Sequence, residues 1–405
     1  MKWKKWLAWV LFLAAVVGLT GCRNDTSSTT AIDLAIISGY HNNAPAPALQ
    51  SDTVTDAIVN STASYGSACV IVNDGAPYVA ANFTIKAPTE ALSATKRQEI
   101  AQEQATQILS VLSQSVAVTP EVDTLASLTL AVRSLQGGQG EPCIVVMDSG
   151  LATTGYMDFT CNLLRADSQT IIDYLKETQA LPDLTGVSII WIGLGDVAGI
   201  QTALTPSALE TLRRIWTDVL YAAGAESVEF SADLPAGGSA VEQALPYVTP
   251  VEILQDVPIQ IEAASLAFDT PLILDEKKIL FLPDSAVFAD SDAAAATLAP
   301  VVDYMAAHPD FRLLIAGTTA TAGSNEDCKA FSRERAQAVE ELLLSMGVDE
   351  NQIAGTAGLG YDHKYHIPDL NADGSQNSNA PANRSVILFD ADSAAAAEIQ
   401  TDGNI

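Results

Sequence analysis

The sequence predicts an α/β protein with two domains, and three observations lead to this prediction. Apolar strand-like runs alternate with amphipathic helix-like segments from residue 31 to about 235. The stretch Leu234–Ser239 (LPAGGS) then breaks the regular pattern and marks a boundary. From about Ala267 the order is strand, helix, strand, helix, strand. With 405 residues, the chain is long enough for two domains that each have a sizeable core.

The strand-like runs of the N-terminal domain are nearly continuous in apolar residues, which is typical of parallel strands covered on both faces. They are Ile32–Ser38, Cys69–Val72, Tyr78–Ile85, Cys143–Met147, Val187–Ile192 and Ser227–Phe230. The helix-like segments repeat apolar residues at intervals of three and four. They are Lys96–Ser115, Thr124–Leu135, Ser168–Thr178 and Ser207–Ala223. We therefore expect a mostly parallel sheet with helices on both faces.

Polar side chains follow these strands, at the edge of an open α/β sheet where ligands usually bind. Ser38, Tyr40 and Asn42 follow the first strand at alternate positions. Thr124 begins a helix, and Asp148 follows a later strand. This succession resembles the von Willebrand factor A family, in which a DxSxS motif, a threonine and a TDG-like turn hold a divalent metal ion through oxygen ligands. The resemblance implies a degenerate metal site, whose candidate ligands are Ser38, Asn42, Thr124 and Asp148.

The substitutions in that motif weaken the predicted metal site. Ser38 replaces the first aspartate of the family motif and Tyr40 replaces its first serine. Losing a carboxylate lowers the affinity for magnesium, and a tyrosine cannot coordinate as a serine does. A metal-binding domain and a metal-free platform for a protein partner both stay open, and the platform fits the substitutions better. No nucleophile with a base and no carboxylate pair occurs at a diagnostic spacing, so we expect no enzymatic activity.

The C-terminal domain is predicted from a second alternation of strands and helices. The strands are Ile279–Phe281, Arg312–Ala316 and Ser385–Phe389, and the helices are Asp290–His308 and Ser332–Met346. We expect a βαβαβ arrangement with its helices on one face of the sheet.

The stretch Leu313–Phe389 also carries a spaced motif. Its matching residues are Gly317, Thr319, Gly323, Ser332, Arg335, Ala336, Val339, Gly347, Val348, Gly358, Gly360, Asn383, Arg384 and Val386. They resemble the peptidoglycan-associating domain of the OmpA family, whose pattern runs GHTDxxGxxxxNxxLSxxRAxxVxxxLxxxGV, then GxG, then NRRV. The family's ligand-binding aspartate corresponds to position 320, where this chain has Ala320. Arg335, 15 residues later, matches the family's ligand-binding arginine.

The OmpA resemblance implies a ligand, the free end of diaminopimelate in the peptide stem of peptidoglycan. This end bears an ammonium group and a carboxylate, and a guanidinium such as that of Arg335 suits the carboxylate. The other candidate ligand residues are Thr318, Thr319, Asn325 and Arg384. Losing one charged hydrogen bond costs about 1.5–3 kcal/mol, or about one to two decades in affinity. Weakened binding, an altered stem peptide and a different carboxylate ligand are all compatible with Ala320.

The first residues predict export and a lipid anchor. Met1–Trp6 contains three lysines, and the apolar run Leu7–Gly18 is short for a membrane span. Leu19–Cys22 (LTGC) resembles a lipobox, which implies cleavage before Cys22 and attachment of acyl chains, such as palmitate, to this cysteine. Residues Asn24–Thr30 (NDTSSTT) then read as a short flexible spacer.

The charge of the chain excludes one class of partner. Loss of three leader lysines changes the formal net charge from −29 to −32, which repels nucleic acid and anionic lipid headgroups. Four cysteines remain, namely Cys69, Cys143, Cys161 and Cys328. In an exported protein they are compatible with disulfides, and buried free thiols are equally compatible.

These observations predict an α/β chain in which a von Willebrand factor A-like parallel-sheet domain precedes an OmpA-like βαβαβ domain. The predicted parts are a signal peptide (1–21), a spacer (22–30), the first domain (31–235), a linker (236–266), the second domain (267–390) and a tail (391–405). We expect an envelope lipoprotein on the cell membrane or outer membrane that faces the wall. Its expected partners are the peptidoglycan stem peptide, the membrane and an envelope protein. The alternative is an exported interaction or assembly module that does not bind peptidoglycan.

Overall fold

A computed structural model describes residues 31–47, 49, 51–85, 92–231, 244–253, 266, 268–371, 374, 376–377 and 379–401. They belong to one compact unit, Ala31–Ile405. The predicted signal peptide, Cys22, the spacer and most of the predicted linker lie outside the described residues.

The first part of this unit alternates strands and helices as predicted. Its strands are β1 (Ile32–Ser38), β2 (Ser67–Val72), β3 (Tyr78–Thr84), β4 (Glu141–Met147), β5 (Ser188–Ile192) and β6 (Ser227–Ser231). Its helices are α1 (Asp52–Ala63), α2 (Ala94–Leu112), α3 (Thr124–Leu135), α4 (Ser168–Glu177) and α5 (Pro206–Ala222). Helix α1 was not predicted, because its sequence DTVTDAIVNSTA is rich in β-branched and polar residues of modest helix propensity. Ser51 begins it by accepting a hydrogen bond from the Val54 amide.

The six strands form one sheet in the order β3-β2-β1-β4-β5-β6. All neighbours are parallel except β2 and β3, which are antiparallel. Side chains of β1 alternate between two apolar clusters, with Leu34 and Ile36 on one face and Ala35 and Ile37 on the other. Helices α1 and α2 cover the first face, and α3, α4 and α5 cover the second. The prediction of a mostly parallel sheet covered on both faces is confirmed.

The second part of the unit is a smaller sheet with its own helices. Its strands are β7 (Leu272–Leu274), β8 (Leu313–Gly317), β9 (Ile353–Gly358) and β10 (Val386–Asp390), in the order β7-β10-β8-β9. Its helices are α6 (Ser291–Ala307), α7 (Asn325–Ser345), α8 (Ala380–Asn383) and α9 (Ala394–Thr401). Helices α6 and α7 pack on one face of the sheet as predicted. Helix α9, which lies in the predicted tail, packs on the other face through Ala396 and Ile399, so the helices are not confined to one face.

A hairpin joins the two parts, and we call residues Leu280–Ala289 the linking hairpin. The Leu282 amide donates to the Val287 carbonyl at 2.8 Å, and the Ala289 amide donates to the Leu280 carbonyl at 2.9 Å. Its side chains alternate between the two cores. Phe281 and Phe288 belong to the core of the smaller sheet, whereas Leu280, Leu282 and Ala289 belong to the core of the larger sheet. The hairpin is therefore a shared layer between the two cores.

Asp33 on β1 gives a test of how the larger sheet is held together. Its carboxylate is buried and accepts hydrogen bonds from the Ser67 amide (2.7 Å), the Ser67 hydroxyl (2.6 Å) and the Gly140 amide (2.7 Å). Burial opposes ionisation, but these hydrogen bonds outweigh it and lower the pKa of Asp33 below its ordinary value of 3.8.

We expect the Asp33→Asn variant to lose about 2 kcal/mol of unfolding free energy at pH 7, because the amide replaces a charged acceptor and adds a donor. A lowered folded-state pKa stabilises the fold above the unfolded pKa, and this contribution disappears as the pH falls through the folded value. The difference from wild type should therefore shrink below about pH 4. Urea unfolding at several pH values measures it, with exposed Asp56→Asn as the control. A difference that stays constant down to pH 2 would contradict this assignment.

Candidate functional site

Arg335 lies on helix α7, and its side chain is held in a buried position. Helix α7 begins where the Ser324 hydroxyl accepts a hydrogen bond from the Asp327 amide at 3.2 Å. The guanidinium lies 4.5 Å from the ring centre of Phe331 and 5.0 Å from that of Phe281. Its Nε donates to the Ser285 carbonyl at 2.9 Å. Only 7% of Arg335 is exposed, and this burial lowers its pKa to about 10, so it stays charged at neutral pH.

The segment after β8 replaces the family aspartate with a buried alanine. Thr318 bonds through its hydroxyl to the carbonyls of Asn383 (2.6 Å) and Ser385 (3.1 Å). The Thr319 amide donates to the Gly360 carbonyl at 2.9 Å, and its buried hydroxyl has no hydrogen-bond partner among the described residues. Ala320 is 4% exposed. Thr318 therefore fixes the segment after β8 to the backbone before β10, whereas the hydroxyl oxygen of Thr319 is not used by the described residues.

A carboxylate does lie beside this segment, but the protein uses it internally. Asp369 accepts hydrogen bonds from the Thr321 amide (2.9 Å), the Thr321 hydroxyl (2.6 Å) and the Asn383 side-chain amide (3.0 Å). Burial raises its pKa, but these hydrogen bonds outweigh burial and the net shift is downward. Asp369 therefore holds the segment and α8 together rather than facing an open site. In the sequence, its 48-residue distance from Thr321 hides this role.

Arg384, the second arginine of the OmpA-like pattern, forms a partly buried ion pair. Its Nε donates to Oε2 of Glu276 at 2.6 Å, and Glu276 is 4% exposed. Burial lowers the pKa of Arg384, but the carboxylate of Glu276 outweighs burial and the net shift is upward. The charges of Glu276 and Arg384 also shift the pKa of Arg335, upward and downward respectively. We call Arg335, Arg384 and Glu276 the charged cluster. Sequence reasoning missed Glu276, because 108 residues separate it from Arg384.

Asn325 has a structural role at the start of α7. Its side-chain oxygen accepts hydrogen bonds from the amides of Tyr361 (2.9 Å) and Asp362 (3.2 Å). It fixes the turn after β9 on the helix. Of the predicted ligand residues, Arg335 and Arg384 belong to the charged cluster, whereas Thr318 and Asn325 hold backbone segments.

The predicted metal ligands lie at the carboxyl ends of the larger sheet, where each buried group has a protein partner. The Ser38 hydroxyl donates to the Ser115 carbonyl at 3.0 Å. The Thr124 hydroxyl accepts from the Asn73 side-chain amide at 3.1 Å. Asn42 is partly exposed on the segment after β1. Ser38 and Thr124 thus have partners within the protein, and the metal site stays a prediction.

Asp148 has two hydrogen-bond donors around its carboxylate. Nε2 of His41 lies 3.2 Å from Oδ1, and the Gly150 amide donates to Oδ2 at 3.0 Å. The Asn43 amide donates to Nδ1 of His41 at 3.3 Å, so the hydrogen-bond pattern assigns the ring proton to Nε2. Both side chains of the His41–Asp148 pair are fully buried. His41 therefore donates a hydrogen bond to Asp148, the carboxylate that the von Willebrand factor A resemblance predicts as a metal ligand.

A small pocket opens beside this pair. It is lined by Ala44–Pro47, Met147–Ser149, Ile192, Gly193 and Asp196. Burial raises the pKa of Asp196. Among the described residues, no group of three or more His, Cys, Asp or Glu side chains is placed to hold a metal ion.

All four remaining cysteines are free thiols in the structure. Cys69 lies on β2 and Cys143 on β4, the two strands that flank β1, and burial raises the pKa of each to about 11. The structure thus has the buried-thiol alternative rather than disulfides.

We expect millimolar magnesium chloride to leave the melting temperature of the protein unchanged, because His41 and Gly150 already satisfy Asp148. Thermal unfolding with magnesium, compared with EDTA, measures this. A ligand at about 100 times its Kd would stabilise the fold by about 2.7 kcal/mol, which a melt detects. A magnesium-dependent rise that Asp148→Asn abolishes would contradict the geometry.

Comparison with protein families identifies one match. Residues 280–378 match the model of the OmpA family, so the chain contains an OmpA family domain there. The match includes Arg335 but ends before Arg384. A comparison with curated proteins finds no match. In the part of the chain that the structure describes, no helix is long and apolar enough to cross a membrane.

Several solved bacterial structures have some similarity to this chain. The OmpA-like domain of FopA1 from Francisella tularensis is 20% identical, with coverage of 29% of this chain and 69% of that chain and a TM-score of 0.22. The peptidoglycan-associated lipoprotein from Burkholderia pseudomallei is 26% identical, with coverage of 24% and 77% and a TM-score of 0.20. The periplasmic domain of Helicobacter pylori MotB is 16% identical, with coverage of 33% and 82% and a TM-score of 0.24. At these TM-scores we base no argument on the structural similarity.

Proposed function

We propose, from the OmpA family domain at residues 280–378, that this chain is a non-enzymatic cell-envelope lipoprotein that associates with peptidoglycan. Lipid on Cys22 anchors it to a membrane, and the C-terminal domain contacts the peptide stem of the wall. The N-terminal domain, von Willebrand factor A-like and spanning 31–235, binds an envelope protein.

The observation that carries the proposal is the position of Arg335 within the family match. Its guanidinium bonds to the Ser285 carbonyl and belongs to one cluster of charged groups with Arg384 and Glu276. A guanidinium binds a carboxylate through two parallel hydrogen bonds, and the stem peptide offers carboxylates. Among the described residues, Arg335 forms no ion pair with a carboxylate, and this supports an anionic ligand group.

The missing aspartate supports a weaker or altered interaction with the ammonium group of the ligand. Ala320 contributes no charge, and Asp369 already accepts three hydrogen bonds from the protein. The unpartnered hydroxyl of Thr319 is a neutral acceptor beside the same segment. Replacing a charged acceptor by a neutral one costs about 1 kcal/mol or more, so we propose binding about tenfold weaker than in a domain with the aspartate.

The proposal of a protein partner for the N-terminal domain is supported by its sheet edge. Ligands of open α/β sheets bind beyond the carboxyl ends of the strands. The pocket beside β1, β4 and β5 lies there, and residues Ala44–Pro47 form an apolar wall. The filled positions around Asp148 favour a metal-independent contact.

A second candidate is an exported interaction module that has lost wall binding. The burial of Arg335 favours it, because a guanidinium that is 7% exposed meets no ligand in this conformation. The loss of the family aspartate at position 320 favours it as well.

Sedimentation with purified diaminopimelate-type sacculi separates the two candidates. We expect the full-length protein in detergent to pellet with sacculi, and Arg335→Ala to lower the apparent affinity about tenfold or more, because a charged hydrogen-bonded contact is lost. The matched control is Arg312→Ala, which removes an exposed arginine of the same domain.

Because Arg335 is buried, its loss could also unfold the domain. Arg335→Lys keeps the charge but not the planar fork, so it should fold as judged by thermal unfolding and still bind less well. Wild-type protein that stays in the supernatant at every concentration would refute peptidoglycan binding. Equal pelleting of wild type and both Arg335 variants would refute the role of this arginine.

A further inference from the structure

The N-terminal part of the compact unit bonds directly to the linking hairpin and its approach. We call residues Gly155–Tyr174 the covering segment. The Asp167 amide donates to the Ala289 carbonyl at 2.9 Å. The Tyr174 hydroxyl donates to the Pro283 carbonyl at 2.8 Å, in a buried contact. The hairpin is therefore bonded to the covering segment at its turn and at its last residue.

Two further bonds reach the residues just before the hairpin. Asn162 donates from its side-chain amide to Oε1 of Glu276 at 3.1 Å, while Oε2 of Glu276 accepts from Arg384. Arg165 donates from Nη1 to the Lys277 carbonyl at 2.6 Å. Asn162 has φ of 56°, a left-handed conformation that asparagine adopts more readily than most residues. The covering segment thus contacts the partner of one ligand-site arginine.

Apolar contacts hold the same interface. Leu280, Leu282 and Ala289 are buried in the core of the larger sheet, together with Met157, Phe159 and Leu163 of the covering segment. The opposite side of the hairpin carries Phe281, which lies under the guanidinium of Arg335. The hairpin therefore has the covering segment on one side and the ligand-site arginine on the other.

The covering segment also acts electrostatically on the arginine. The positive charge of Arg335 acts to lower the pKa of Cys161 and of Tyr174, although burial has the larger effect and raises both pKa values. Asp158 is buried near Arg384, and burial raises the pKa of Asp158 to about 6. Residues from the N-terminal part thus complete the enclosure of both arginines.

We propose that the covering segment Gly155–Tyr174 is a built-in inhibitor of the OmpA domain: it holds the linking hairpin over Arg335, so the ligand site is closed until the segment leaves the hairpin and the hairpin can move off the arginine. The proposal rests on the proposed function, since it concerns access of a peptidoglycan stem peptide to Arg335. A partner that binds the N-terminal domain and favours the open form releases the site. The state in the structure is the closed form.

Closure reduces apparent affinity in proportion to the open fraction. Coupling between the segment and the ligand is reciprocal, so a peptidoglycan fragment that binds at Arg335 must also favour opening. The Asp167 amide gives a direct readout, because its hydrogen bond to Ala289 crosses the interface and breaks on opening.

The test uses the full-length double variant Arg165→Ala/Tyr174→Phe, which removes one hydrogen bond to the hairpin and one to Lys277 just before it, and leaves Arg335, Arg384 and Glu276 unchanged. It leaves the Pro283 carbonyl buried without a donor in the closed form only, so opening becomes easier. The matched control is Arg133→Ala/Tyr221→Phe, which makes the same chemical changes at exposed positions on α3 and α5.

We expect the Asp167 amide of the double variant to exchange with solvent about tenfold faster than in wild type and control. Its apparent affinity for diaminopimelate-type sacculi should rise by about the same factor, and adding Arg335→Ala should abolish the gain. A soluble muropeptide with a diaminopimelate-ended stem should also speed Asp167 exchange in the wild-type protein.

Two results would overturn the inference, and a third, distinct result would overturn the proposed function. Unchanged Asp167 exchange in the double variant would show that these bonds do not hold the closure. Faster exchange with sacculus binding equal to that of a wild type that does bind would show that closure does not control the site. If the interface opens and neither protein binds sacculi, peptidoglycan association itself fails.

Discussion

The linking hairpin Leu280–Ala289 is the constraint on which the rest of the structure depends. Alternate side chains of an extended segment point to opposite sides, and here the two sides enter two different cores. Burying a leucine stabilises a fold by about 1.5–3 kcal/mol. Leu280 and Leu282 therefore hold the OmpA family domain, to which they belong, against the larger sheet. Neither core is complete without this shared layer, and residues Ala31–Ile405 accordingly form one compact unit.

This shared layer also explains the state of the charged groups. Arg335 lies between Phe281 of the hairpin and Phe331 of its own helix, and it bonds to the hairpin carbonyl of Ser285. The arginine that the OmpA-like pattern predicts as a ligand-binding residue therefore lies in a buried position. Glu276 bonds to Arg384 and to Asn162, so it connects the second arginine to the N-terminal part. The charged cluster belongs to both parts of the chain.

Local patterns predicted most strands and helices, because apolar spacing depends on neighbouring residues. Helix α1 escaped prediction because its helix propensity is modest and packing stabilises it. Strand β9 escaped prediction because its sequence, IAGTAG, is rich in glycine and alanine, and the predicted strand Ile279–Phe281 lies in the linking hairpin and its approach instead. The arginines were found from their spacing, but their partners were not. His41 lies 107 residues from Asp148, and Glu276 lies 108 from Arg384, so only the folded chain brings them together. The alternation of Leu280, Phe281 and Leu282 was visible in the sequence, but nothing local assigns its two faces to two different cores.

Urea unfolding of the Leu388→Ala variant tests the shared layer most directly. Without the predicted leader, Trp191 and Trp216 are the only tryptophans, and both lie in the core of the larger sheet, whereas Leu388 lies in the core of the smaller one. The substitution should cost about 2–5 kcal/mol. Coupled cores predict that the tryptophan fluorescence transition moves to lower urea together with the circular dichroism transition. An unmoved fluorescence transition beside a separate, earlier dichroism step would contradict the account.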